Sequence, residues 1–360
     1  MTVRAADRQN YWAVRHVAAL CVLLAHAFEL SGKLPMDLLR VVPVLAGISG
    51  LGVTLFFIIS GYLVTQSWLR HGSAPVFLWH RCLRIMPGLW GCIAFAVFLG
   101  WALSTVPASA YWQHPLLRDY VWGNLLLRNT QALPGVFENN LAARWVTGTF
   151  WTLPLEVTCY LWVLTLGVAG LLRQRILATA LLLAGWLGVT LWGGQINLFD
   201  ATIVPQWLPR YYGAFLSGML LCLWRDRIFV GWLLPALLLW AVATWAWYLP
   251  ETDPLWRWVD VLRVALLAWF VLNFVAWLSR FWPEPARWPD LSYGLYLYGF
   301  PIQQALVQWQ PDWNGWLVFA ASTLLTLLAA ALSWYLIEAR ALQLKDRWSR
   351  LKGLAALHKG

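Results

Sequence analysis

Charge is what this sequence has least of: only 12% of its 360 residues are Asp, Glu, Lys or Arg, against 61% hydrophobic residues. A soluble globular domain carries about twice that charged share, so a soluble reading is excluded. Cysteine is scarce too. The five cysteines, at 21, 82, 92, 159 and 222, lie inside apolar runs or at their inner ends, with neither the spacing nor the setting of a disulfide framework or a zinc site. No metal is expected. The glycines of "GISGLG" have the wrong spacing and no preceding strand for a phosphate-binding loop, and they are expected to allow close helix packing instead. A nucleophile elbow centred on Ser, an internal repeat, a low-complexity tract and an appended soluble domain are all lacking. The N-terminus has no short apolar core followed by a small-residue cleavage site, so the first apolar segment is expected to be retained.

What is present are apolar runs of bilayer-spanning length. The expected fold is all-α: a polytopic transmembrane helical bundle of about ten spans. These lie near 11–30, 44–68, 85–104, 151–172, 176–194, 207–224, 228–249, 258–279, 290–309 and 315–336. Residues 1–345 are read as one transmembrane domain and 346–360 as a basic cytosolic tail. The formal net charge of +10 does not point to nucleic acid, because basic residues gather between alternate spans. Six stretches, from Arg4 and Arg8 to the tail after Arg340, hold 17 of the 26 Lys and Arg residues. The positive-inside rule then puts both termini in the cytosol and makes 105–148 external. The 29 tryptophans sit largely at span ends, where amphipathic rings anchor in the interface.

Few ionisable residues remain at membrane depth: Arg15, His26 and Glu29 on the first span, Glu156 on the fourth, Arg210 on the sixth, Asp260 and Arg263 on the eighth. Facing lipid, each would cost a few kcal/mol, so they are expected to face protein or water and are functional candidates. Arg15 and His26 are eleven residues apart, ~16 Å along a helix and about 20° around it, so they share a face. Glu29 lies about one turn beyond His26. Asp260 and Arg263 read as a local ion pair. His71 and His80 fall in a basic loop and are expected to be solvated. A histidine with nearby carboxylates and no nucleophile points to general-base chemistry, in which imidazole takes a proton from an incoming hydroxyl.

At this point the residues resemble a family. "RHVAALCVLLAH" (15–26) has the arginine, ten residues, then histidine that open the acyltransferase-3 family of integral-membrane acyltransferases. "GVTLFFIISGYLV" (52–64), "FLWHRCLRIMPG" (77–88), "FWTLPLEVTCYL" (150–161) and "LPRYYGAFLSGML" (208–220) follow in family order, then "LSYGLYLYGFPI" (291–302) and "WYLIEARALQLK" (334–345). The resemblance covers nearly the whole chain. It implies an O-acetyltransferase of the bacterial inner membrane, acting in exopolysaccharide or O-antigen biosynthesis. Such an enzyme moves an acyl group, commonly acetyl, from cytosolic acyl-CoA to a hydroxyl of a glycan or lipid-linked saccharide. Acetyl-CoA is then a donor substrate and no cofactor is permanently bound. Membrane lipid and other polysaccharide-assembly proteins are the implied partners. His26 takes the place of the catalytic base, with Glu156 or Glu29 to fix its tautomer. Arg15, Arg81 and Arg84 match the positions for the CoA phosphates, and Arg210 and Tyr296, in matching segments, are the expected substrate-binding residues. Three positions depart from the family pattern: Thr54 where Asp is commonest, Gly299 where many members have a second His, and Ala339-Arg340 where Lys-Pro often follows the Glu. The alternative is a transporter or flippase of a glycan or acyl carrier, which would also bury Arg, His and Glu. Against it stand the missing repeat and the missing pair of broken helices.

Overall fold

The computed structural model describes residues 10–33, 48–192, 208–228, 231–249, 253, 255–285 and 288–345, and among these there is no β-strand. The basic tail at 346–360 and the first residues of the span at 44–68 lie outside them. The helices are α1 (Tyr11–Ser31), α2 (Ile48–His71), α3 (Ala74–Leu103), α4 (Ala108–Gln113), α5 (Pro115–Leu125), α6 (Thr152–Val168) and α7 (Arg175–Trp192). They continue as α8 (Leu208–Leu223), α9 (Arg225–Ile228), α10 (Leu233–Tyr248), α11 (Trp256–Leu278), α12 (Ser292–Trp309) and α13 (Gly315–Ser333). A single π-helical turn, Trp334–Glu338, extends α13.

Among the described residues, five helices are long and apolar enough to cross a membrane: Tyr11–Ser31, Gly50–His71, Ala74–Leu103, Trp256–Leu278 and Gly315–Lys345. Three shorter apolar helices accompany them, Thr152–Val168, Arg175–Leu191 and Leu233–Ala246. Several of these helices turn apolar side chains outward. Ile176, Leu183 and Leu187 on α7, Leu233, Leu237 and Trp240 on α10, and Leu324, Leu328 and Leu332 on α13 are all exposed. Contiguous apolar surface of this kind is unstable in water and suited to lipid. The chain is a multi-pass membrane protein.

The chain folds as two compact units, one comprising Met1–Ala25, Leu34–Arg70 and Leu155–Trp288, the other His26–Lys33, His71–Pro154 and Pro289–Gly360. Each unit is assembled from three separate stretches. In the first unit α8 packs between α7 and α11, and α11 also packs on α10. Glycine sets the helix approach here. A Cβ at Gly61 on α2 would meet the backbone of Phe215 on α8, and one at Gly218 would meet the backbone carbonyl of Ile58. Small residues on facing helices let backbones touch where lipid offers no hydrophobic drive. Gly52 likewise lies against the backbone carbonyl of Ala18 on α1, as "GISGLG" led one to expect. Gly61→Leu should therefore force α2 and α8 apart at a cost of ~1–3 kcal/mol or more. A lower melting temperature in detergent is the expected reading, and an unchanged one would contradict this packing.

In the second unit α12 packs on α13 and α3, and the π-helical turn packs on α3. The stretch 104–148 is folded, not loose. Tyr111 donates to the carbonyl of Val97 at 2.9 Å, and burial pushes its phenol up to about 12, so it stays a neutral donor. Gln304 of α12, fully buried, donates to the carbonyls of Ala142 and Trp145 at 2.8 Å each, while Asn140 donates to its side-chain oxygen at 2.7 Å.

One expectation is corrected. The basic segment around Arg81 and Arg84 is no loop, because α3 runs unbroken through it from Ala74 to Leu103 with Pro87 inside. The helix opens on Ala74-Pro75, where proline's missing N–H costs nothing. His80 is accordingly buried in α3 rather than solvated, its ring edge-on to that of His71 at 5.5 Å.

Candidate active site

His26 occupies the last turns of α1, where its ring has two neighbours within the second unit. Its Nδ1 is 2.8 Å from Oε2 of Glu29, one turn on. Its ring stands edge-to-face on Phe300 of α12, centroids 5.2 Å apart. Phe300 in turn lies over Gly148, where any Cβ would run into the ring. The imidazole side chain is 15% exposed and the Glu29 side chain 53%.

Chemistry follows from which nitrogen is engaged. An ionised carboxylate only accepts, so the pairing with Glu29 places the proton on Nδ1 and leaves the lone pair on Nε2. Nε2 makes no hydrogen bond to a described residue. The arrangement is a histidine fixed in tautomer by a carboxylate, with its basic nitrogen open to an incoming hydroxyl.

The carboxylate bonded to His26 is Glu29, which lies outside the family motifs. Glu156 has its own partners in the first unit: its Oε1 accepts from Ser60 at 3.2 Å and, in a short hydrogen bond, from Tyr160. Thr54, at a position where Asp is commonest in the family, is buried and donates to the carbonyl of Gly50 at 2.6 Å.

Arg15 is on α1, eleven residues before His26, half-buried. Arg81 and Arg84 are half-buried on α3, with Arg81 over the Phe77 ring at 5.9 Å and Arg84 over the Tyr293 ring at 5.6 Å. Arg84 also pairs with Asp290 at 3.0 Å, and Asp290 accepts from the hydroxyl of Ser292 at 2.6 Å at the start of α12. Sequence reasoning singled out neither Asp290, which pairs with this arginine, nor Glu338. Glu338 is buried on the π-helical turn, where Ser333 donates to its Oε1 at 2.8 Å and its Oε2 has no hydrogen-bond partner. Its signal was a carboxylate at the end of an apolar run, just past the boundary drawn for the last span.

Tyr296 lies on α12. It is buried, hydrogen-bonded to the hydroxyl of Thr152 at 2.7 Å and donating to the carbonyl of Thr149 at 3.0 Å. With 8% of the residue exposed, it ties α12 to the start of α6.

Arg210 joins the pair expected from sequence. Its Nε and Nη2 donate to the two oxygens of Asp260 at 3.1 and 3.2 Å. Arg263 donates to the same carboxylate in a short ion pair. Both guanidiniums lie over the Trp256 ring, at 5.9 and 6.0 Å.

A multi-pass helical membrane protein with a carboxylate-held histidine and arginines deep in its helices is a defined class, and comparison with known proteins names it. The chain belongs to the acyltransferase-3 family: the model of that family's acyltransferase domain matches residues 11–335. Nodulation protein 10 of Rhizobium leguminosarum bv. viciae is 30% identical, over 94% of this chain and 94% of its own. The O-acetyl transferase of Shigella phage Sf6 is 29% identical, over 91% of this chain and 94% of its own. No solved structure is significantly similar.

Proposed function

We propose that the protein is a membrane O-acetyltransferase that moves acetyl from acetyl-CoA to a hydroxyl of a glycan or lipid-linked saccharide, with His26 as general base. The observation that carries this reading is the Nδ1 contact to Glu29, which leaves Nε2 as the basic nitrogen. In the reaction, Nε2 takes the proton of the acceptor hydroxyl as its oxygen attacks the thioester carbonyl. The C–S bond then breaks, and the departing CoA thiolate takes a proton back from the imidazolium. Glu29, fixed to Nδ1, steadies the positive charge that develops on the ring.

Arg15, Arg81 and Arg84 bind the phosphates of the donor, since guanidinium forks match phosphate oxygens, and Arg210 binds the acceptor. The name of the phage relative, an O-acetyl transferase, supports acetyl as the group moved. The distribution of basic residues supports cytosolic termini, in keeping with ten spans, and the family supports a bacterial inner-membrane location. On that topology the donor is gripped on the cytosolic side while the acceptor is acylated on the far side.

Sidedness is the test. In proteoliposomes of known orientation, labelled acetyl-CoA supplied at the cytosolic face should acetylate an acceptor glycan present only at the opposite face. Label appearing only on acceptor at the cytosolic face would contradict the reading.

A further inference from the structure

Asp260 fixes Arg210 without using all of it. The carboxylate takes the Nε and Nη2 edge in a fork of two bonds at 3.1 and 3.2 Å. The remaining nitrogen, Nη1, makes no hydrogen bond to a described residue. It points at Gly50 on α2: a Cβ built there would stand 3.4 Å from Nη1 and 3.8 Å from the hydroxyl of Tyr211. Position 50 adds no side chain against this edge. A second guanidinium, Arg263, shares the same carboxylate, so Asp260 alone does not cancel the charge of Arg210. Trp256 lies against both and restricts their motion. A guanidinium with one edge locked and another open is prearranged for an oxygen anion, because its order is already set before the ligand arrives.

We infer that the Nη1 edge of Arg210 binds an oxyanion carried by the acceptor, a phosphate or a carboxylate. The inference deepens the acceptor-binding role given to Arg210 above and rests on it. Two sources share this chemistry: the pyrophosphate of a lipid-linked saccharide, and the carboxylate of an acidic sugar. The binding measurement distinguishes them.

The test is direct binding to the full chain in detergent. The probes are a short polyprenyl pyrophosphate against its alcohol, and glucuronate against glucose. The wild-type protein should prefer one charged probe over its neutral partner by about ten- to a hundredfold, the worth of a charge-assisted hydrogen bond. Preference for the pyrophosphate assigns the anion to the lipid carrier, and preference for glucuronate assigns it to the sugar. Arg210→Gln should abolish the preference. Gly50→Ala, which places a methyl group over Nη1 and suits a helix, should weaken the preferred probe several-fold at unchanged melting temperature. No preference in the wild type, or a preference that survives Arg210→Gln, overturns the inference. If Arg210→Gln fails to fold, unchanged binding in Gly50→Ala overturns it instead. These readouts do not involve acyl transfer. Transfer that proceeds without any oxyanion preference sinks this inference alone, whereas an oxyanion preference in a protein that never transfers acetyl sinks the acyltransferase reading.

Discussion

Replacing His26 with alanine should lower acetyl transfer by ~10²–10⁴-fold, the usual contribution of a general base, with expression and membrane insertion unchanged. The imidazole is 15% exposed and packs on one ring, Phe300, so the fold should tolerate its loss far better than the chemistry does. Glu29→Gln separates the two jobs of the pair. The amide oxygen can still accept from Nδ1–H and keep the tautomer, but the negative charge that steadies the imidazolium is gone. Its kcat should fall, by less than in His26→Ala, while KM for both substrates stays put. Initial rates in detergent with labelled acetyl-CoA measure both variants. Near-normal transfer by His26→Ala would end the mechanism, and equal rates for Glu29→Gln and wild type would leave Glu29 as an ordinary surface partner.

The second large effect is expected at the donor. Arg81→Ala and Arg84→Ala should each weaken acetyl-CoA binding by about ten- to a hundredfold, since a hydrogen bond to a charged group contributes ~1.5–3 kcal/mol. Lysine should rescue only partly, because an ammonium cannot reproduce a two-pronged fork. Arg84 adds a complication that the structure makes testable. It is paired with Asp290 at 3.0 Å, both side chains 18% exposed, so Arg84→Ala strands a half-buried carboxylate and should also lower the melting temperature. Asp290→Asn keeps the guanidinium and removes its rival anion. If Arg84 binds phosphate, that variant should hold acetyl-CoA at least as tightly as wild type. Equal affinity in wild type and the Arg81→Ala, Arg84→Ala double variant would show these arginines to be only markers of the basic face.

Some of this was fixed by the chain's composition and order alone. Long apolar runs make a multi-pass helical protein, because only helices satisfy their backbone inside lipid without a partner strand. The few ionisable residues within those runs identify themselves, because each is too costly to leave facing lipid. Arg15 and His26 share a face by helix periodicity, and their motif carries the resemblance to the family. Even "GISGLG" announced close packing, realised at Gly52 against α1.

Tertiary structure decided what meets what. Sequence offered His26 two carboxylates. Helix periodicity already supplies Glu29, one turn away on the same helix, and the fold bonds Glu156 to Ser60 and Tyr160. It turned a local pair, Asp260 and Arg263, into a three-residue cluster by bringing Arg210 from fifty residues away. It also buried Tyr296 against Thr149 and Thr152 and set Asp290 beside Arg84 across 206 residues of chain. For the partners brought from distant stretches the physical reason is the same. Helix periodicity fixes which residues share a face, but a buried charge finds its partner only where two helices pack, and that contact is not written in the spacing of either helix.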